Sequence, residues 1–200
     1  MGVEKMKKFL MILAFLLMQK ASGVFAQEVS ISSVKQNPNT LEIEITFKNS
    51  SSQDVLLVST NPNEKYETSY FLILEDKTKL LQIRRYFFSY PSYVLDAPEP
   101  CFGLNKVKTG ESYRENLSLK YPAAQTHFFT NTKIDLRTFD LISFQIGVLP
   151  YDDFINKILD SRPFGHCADG QDKISEGIYK GKTLLEVQNI LKTNTVKIFR

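Results

Sequence analysis

From Thr40 to Asn49 the chain alternates without a break. Leu41, Ile43, Ile45 and Phe47 fall on one side of an extended strand, and Glu42, Glu44, Thr46 and Lys48 fall on the other. A period of two built from β-branched and aromatic residues predicts a half-buried antiparallel strand. Residues 113–121 repeat the pattern, with Tyr113, Leu117, Leu119 and Tyr121 set against Arg114, Asn116, Ser118 and Lys120. Residues 141–148 aim Ile142, Phe144, Ile146 and Val148 inward. Val55–Ser59 (VLLVS) is a short apolar strand between a polar loop at 49–54 and Asn61-Pro62-Asn63. Residues 69–75 and 80–88 flank Asp76-Lys77-Thr78-Lys79, the arrangement of a β-hairpin. Residues 29–34 read as a weaker opening strand, and residues 194–199 as a closing one.

Two stretches depart from this rhythm. Residues 152–160 place Phe154, Ile155, Ile158 and Leu159 at helical spacing behind acidic capping residues, and Arg162-Pro163 ends the run, so a short helix is predicted. Residues 182–191 fit a helix through Leu184, Val187 and Leu191 or, less well, an irregular strand. Seven or eight short strands with one or two short helices indicate a mostly β protein, an immunoglobulin-like antiparallel β-sandwich. An up-and-down barrel is the competing architecture. The absence of tryptophan argues against an antibody-type domain, whose core is built on Cys and Trp.

The first 26 residues have a different logic. Lys5, Lys7 and Lys8 precede ten unbroken apolar residues, 9–18, and in Val24-Phe25-Ala26 slim side chains stand at the −3 and −1 positions of a cut before Gln27. That is the layout of a secretory signal peptide, so residues 1–26 are read as a leader and residues 27–200 as one β-sandwich domain. Ten residues of helix reach about 15 Å, roughly half of a bilayer's hydrocarbon thickness, so no transmembrane span is expected after cleavage. The expected location is secreted, or periplasmic within the cell envelope.

Charge sharpens the picture. The 200-residue chain carries a formal +3, but the leader holds Lys5, Lys7, Lys8 and Lys20 against Glu4. Taking these from 25 basic and 22 acidic residues leaves 21 of each, a neutral mature chain. It lacks the basic footprint of non-specific nucleic-acid binding, so no nucleic-acid partner is expected. Two cysteines, Cys101 and Cys167, would pair in an oxidising compartment and close a loop worth roughly 4 kcal/mol in the chain-entropy description. Two separate thiols are the alternative, because sequence does not place their Cα atoms.

Three features in succession carry a resemblance: Asn49 to Ser51 at a strand end, Glu75-Asp76-Lys77 in a hairpin, and the Gly110-Glu111-Ser112 turn before a later strand. In this layout residues 28–121 resemble bacterial secreted immunoglobulin-like sandwiches and, more distantly, the intracellular proteinase inhibitor family of bacilli. The resemblance implies the sandwich fold, with inhibition as the activity class, and carries over no functional residue.

Chemistry-bearing residues are few. His127 and His166 are the two histidines, and His166-Cys167 with Asp169 and Asp172 could form a nucleophile or metal cluster. Adjacent side chains in extended chain point apart, and the second Cys or His pair that zinc sites use is missing, so a polar loop is the plainer reading. Asp169-Gly170-Gln171-Asp172 reads as a turn rather than a calcium loop. No metal and no cofactor is implied. Residues 86–100 pack Tyr86, Phe87, Phe88, Tyr90 and Tyr93 ahead of Pro98 and Pro100, which is how rigid binding loops are built. Tyr90 and Tyr93 are therefore the candidate binding residues; alternatively Phe87 or Phe88 fills the core while the tyrosines cover the sandwich end. Asn49-Ser50-Ser51 and Asn116-Leu117-Ser118 fit glycosylation sequons. The leading functional expectation is an exported binding or interaction module with a protein or glycan partner. The alternatives are an extracytoplasmic hydrolase using His127 or His166, and a structural component of a surface assembly.

Overall fold

A computed structural model describes residues 27–59, 71–75, 77–88, 102–120, 123–126, 133–160, 170–171 and 173–198. In chain order its strands are β1 (Gln27–Gln36), β2 (Thr40–Asn49), β3 (Val55–Ser59), β4 (Phe71–Glu75), β5 (Leu80–Arg85), β6 (Gly103–Val107) and β7 (Ser112–Lys120). There follow β8 (Ala123–Thr126), β9 (Lys133–Ile134), β10 (Leu141–Pro150), helix α1 (Asp153–Asp160), helix α2 (Leu184–Val187), β11 (Asn189–Lys192) and β12 (Val196–Lys197). The protein is mostly β, with two main sheets and only short helices, as the alternation requires.

The smaller of these sheets is β1-β2-β7, antiparallel throughout. Its inner face is the predicted one: Leu41, Ile43, Ile45 and Phe47 of β2 and Leu117 and Leu119 of β7 are all buried. β1 looked weak in sequence because it contains a bulge. Its register pairs Val29 with Phe47 and Ile31 with Ile45, then shifts by one so that Val34 meets Ile43. The extra residue lets positions of opposite parity, Ile31 and Val34, pack against the same core.

The larger sheet is organised around β10. One finding corrects the expectation of a purely antiparallel sandwich: β5 runs parallel to β10, from Leu80 opposite Leu141 to Arg85 opposite Ile146. β4, β6, β11 and β12 are added antiparallel to their neighbours. Gln145 pairs with both Arg84 and Lys192, and Val148 with both Leu57 and Asn189. A strand has two edges, so β5 and then β3 occupy one edge of β10 in succession, while β11 and β12 occupy the other. Across the β11–β12 connection, five residue steps (192 to 197) span four on β10 (145 to 141). The slack is taken up at Thr193, whose hydroxyl accepts a bond from the Phe144 amide at 2.9 Å.

Between the two sheets lies the main core, in which Ile142, Phe144, Ile146 and Val148 of β10 face β2 and β7 as predicted. The large sheet also buries its other face, which the two-layer expectation did not include. Leu56, Val58 and Leu149 pack there against Phe87, Phe102, Ile155 of α1, Ile174 and Leu184 of α2. Burial on both faces explains why β3 is an unbroken apolar run rather than an alternating one.

Local chemistry sets the ends of these elements. α1 is capped by Asp152, whose carboxylate accepts the Phe154 amide at 2.8 Å. The ambiguous stretch 182–191 is both things in succession, one helical turn and then β11. Thr183 and Glu186 form a reciprocal capping box over that turn. The strand predicted to reach residue 88 ends at Arg85, where the chain leaves the ladder and Phe87 enters the second core; the closing strand narrows to Val196–Lys197. Among the described residues no helix is long and apolar enough to cross a membrane.

Candidate binding site

Tyr90, Tyr93, Cys101, Cys167, His127 and His166 all lie outside the described residues. Their neighbours are informative. Phe87 is fully buried and meets Phe102 edge-on, with centroids 5.6 Å apart, so this aromatic of the 86–100 cluster is a core residue. Gly170 serves packing: a Cβ there would come within 2.9 Å of the Phe87 Cβ, and its carbonyl accepts the Leu185 amide at 2.9 Å. Among the described residues no group of three His, Cys, Asp or Glu side chains is placed to hold a metal.

A polar cluster inside the sandwich escaped the sequence reading. Arg85, on the core-facing parity of β5, is completely buried and forms an ion pair with Glu115 on β7, joining the two sheets. Around the pair, the Arg85 guanidinium lies 5.6 Å from the Phe144 ring centroid, the Tyr113 hydroxyl donates to Glu115 at 3.5 Å, and Asn105 donates to the Tyr113 oxygen at 3.1 Å. Burial first, and then the Glu115 charge, push the Tyr113 phenol above its ordinary range. The available signal was Glu115 itself, a carboxylate at an inward position of an otherwise regular strand. A buried pair of this kind fixes register more than it contributes stability.

Two of the three motifs behind the resemblance meet in space. The Asn49 amide donates to the Glu111 carbonyl at 3.0 Å, and the Gly110 amide to the Asn49 carbonyl at 2.8 Å. Gly110 adopts φ of 81°, open to a residue without Cβ. The buried Asn49 side chain donates to the Val107 and Gln53 carbonyls and accepts from the Ser51 hydroxyl. Its amide nitrogen is thus committed in the folded protein, whereas Asn116 is exposed. Beside this knot the Thr109 amide, and then Lys106 at 3.0 Å, hold the Asp54 carboxyl below its usual range.

The described surface opens into a groove of about 350 Å³ where β1 faces β11 and β12 across the open side of the sandwich. Its apolar lining includes Ile31, Leu191 and Val196, half-buried residues at the margin of the main core. Glu28, Lys192 and Asn194 supply polar lining. β1 pairs with β2 along one edge only, and among the described residues no ladder occupies its other edge. Strand edge, apolar lining and polar groups are what an extended polymer needs for attachment. No sequence pattern pointed here, because the groove joins the two ends of the 27–198 segment.

No protein-family model matches the chain, and no curated protein matches it. Among solved structures the chain is similar to a β-glucosidase from Kluyveromyces marxianus in complex with glucose, at 14% identity and a TM-score of 0.24. The match covers 88% of this chain and 14% of that one. So loose a superposition carries no inference about activity.

Proposed function

We propose that the protein is an exported binding module that takes an extended segment of another protein along the β1 side of the sandwich. The observation supporting this reading is the coincidence of the β1 edge, unpaired among the described residues, with the groove whose lining includes Ile31, Leu191 and Val196. A guest strand hydrogen-bonds to the β1 backbone while alternate side chains enter the groove, so backbone bonds supply affinity and the apolar lining supplies selectivity. The inhibitor-like version of this reading makes the guest a segment of a proteinase.

Hydrogen exchange with a library of extended peptides tests it. Binding is expected to protect amides in β1, and Asn194→Trp, which fills the groove from an exposed position, should abolish that protection without changing the fold. Leu191→Arg gives a second, independent block. Peptides that leave β1 exchange unaltered, or a glycan that binds without protecting backbone amides, overturn the reading.

A further inference from the structure

A turn on the helical side of the large sheet presents an apolar side chain to water. Lys173 bridges Thr183 in antiparallel fashion, the Ile174 amide donates to the Lys182 carbonyl at 2.9 Å, and the Gly181 amide returns to the Ile174 carbonyl at 2.8 Å. Gly177 and Gly181 both take positive φ, 82° and 83°, which L side chains adopt only with strain. The turn is seated, not dangling. Ile174 is buried in the second core, Tyr179 folds back onto it, and a Cβ on Gly177 would meet the Phe154 ring at 2.8 Å.

Within this seated turn Ile178 is 84% exposed; the other large exposed apolar side chain among the described residues is Ile190 at 45%. Lys173, Lys180 and Lys182 are exposed around it, against Glu176 within the turn. Lys157 of α1 lies over the same Phe154 ring, at 4.8 Å from its centroid. Of the acids nearby, Asp152 caps α1, Asp153 is exposed beside it and Glu186 caps the turn at Thr183, while within the 173–183 turn itself three lysines stand against one glutamate. We infer that the 173–183 turn is a lipid-contacting tip, with Ile178 entering the acyl boundary of an anionic bilayer and Lys173, Lys180 and Lys182 meeting its phosphates.

A bilayer is favoured over a protein partner by what surrounds the tip. A protein interface needs a broad complementary patch, whereas here one apolar side chain projects from a charged collar. A lipid surface accepts a single inserted residue and draws lysines to it from about a Debye length away. Holding the turn rigid removes the ordering cost that a flexible loop would incur on insertion.

The chain has no tryptophan, so Ile178→Trp is a single-site fluorophore and Ile190→Trp its control on the same protein. On addition of phosphatidylglycerol vesicles, emission from position 178 should shift to the blue and be quenched by brominated acyl chains, while position 190 stays unchanged. The reporter reads its own surroundings, so attachment through another segment does not imitate the result. Lys180→Glu with Lys182→Glu should weaken the vesicle titration by about tenfold or more. The inference is overturned by emission at 178 that ignores anionic vesicles, by equal shifts at both positions, or by a shift at 178 that grows with protein concentration in lipid-free buffer. The last outcome would assign the tip to a protein contact. None of these measurements depends on the β1 groove.

Discussion

The side-chain amide of Gln188 holds the backbone of Phe87 in both directions: its oxygen accepts the Phe87 amide at 3.0 Å and its nitrogen donates to the Phe87 carbonyl at 2.6 Å. Phe87 is the point at which the chain has left β5, so a side chain completes the pairing that the sheet no longer offers. Beneath this clamp lies Gly147 of β10, at the changeover where β5 departs and β3 takes the same edge.

Gly147→Ala is therefore expected to be costly for one methyl group. Its Cβ would come within 2.7 Å of the Gln188 oxygen and 2.9 Å of a Val58 methyl. Overpacking of this sort costs about 1–3 kcal/mol. Thermal unfolding of Gly147→Ala, Gln188→Ala and the double variant measures it. The double variant should lose less than the two singles combined, because both act on one clamp.

The Arg85–Glu115 pair leads to an asymmetry. Arg85→Met strands the Glu115 carboxylate between the sheets and should cost about 3–5 kcal/mol. Adding Glu115→Leu removes the stranded charge and should recover most of that loss. Chemical denaturation of the single and double variants decides; a double variant as unstable as the single would show that the pair holds the sheets together in some other way.

Acid stability should depend on Asp54. Its folded-state pKa is depressed by the Thr109 amide and by Lys106, so the unfolded chain takes up the proton more readily. The contribution is present above the ordinary carboxylate range and disappears as pH falls through the lower, native value. Asp54→Asn should flatten the acid limb of a stability-against-pH curve measured below about pH 5 and leave the neutral region near its starting slope.

The alkaline limb should respond to Tyr113. Its native pKa is raised, chiefly by burial, so its contribution is full below the ordinary phenol value of 10.0 and is lost as pH rises through the native one. Tyr113→Phe should make stability less sensitive to pH above about 10. An unchanged alkaline slope would mean that the phenol ionises as freely in the fold as in the unfolded chain.

Strand positions were legible where alternation was strict, because burial on one face leaves a period of two in the sequence. Leu41 to Phe47 and Ile142 to Val148 face the core as that period requires. What periodicity does not encode is the choice of neighbour: nothing in residues 80–85 distinguishes a parallel partner from an antiparallel one. The bulge in β1 breaks the alternation, so that a strand of ten residues reads as a weaker and shorter one over 29–34. Glu115 stands at an inward position, and a charged group among Tyr113, Leu117 and Leu119 signals a buried partner without saying which residue it is. The groove was illegible for a plainer reason, since Ile31 and Leu191 become neighbours only when both sheets exist.

The two edges of β10 also impose a sequence of events on the newborn chain. One side can be zipped by β5 and β3, which precede it, as soon as β10 itself appears. The other side waits for residues 189–197, which follow β10 in the chain. Until then an apolar strand stands bare along half its width, ready to seize any passing backbone. Deleting residues 189–197 should thus produce aggregation rather than a slightly weaker protein.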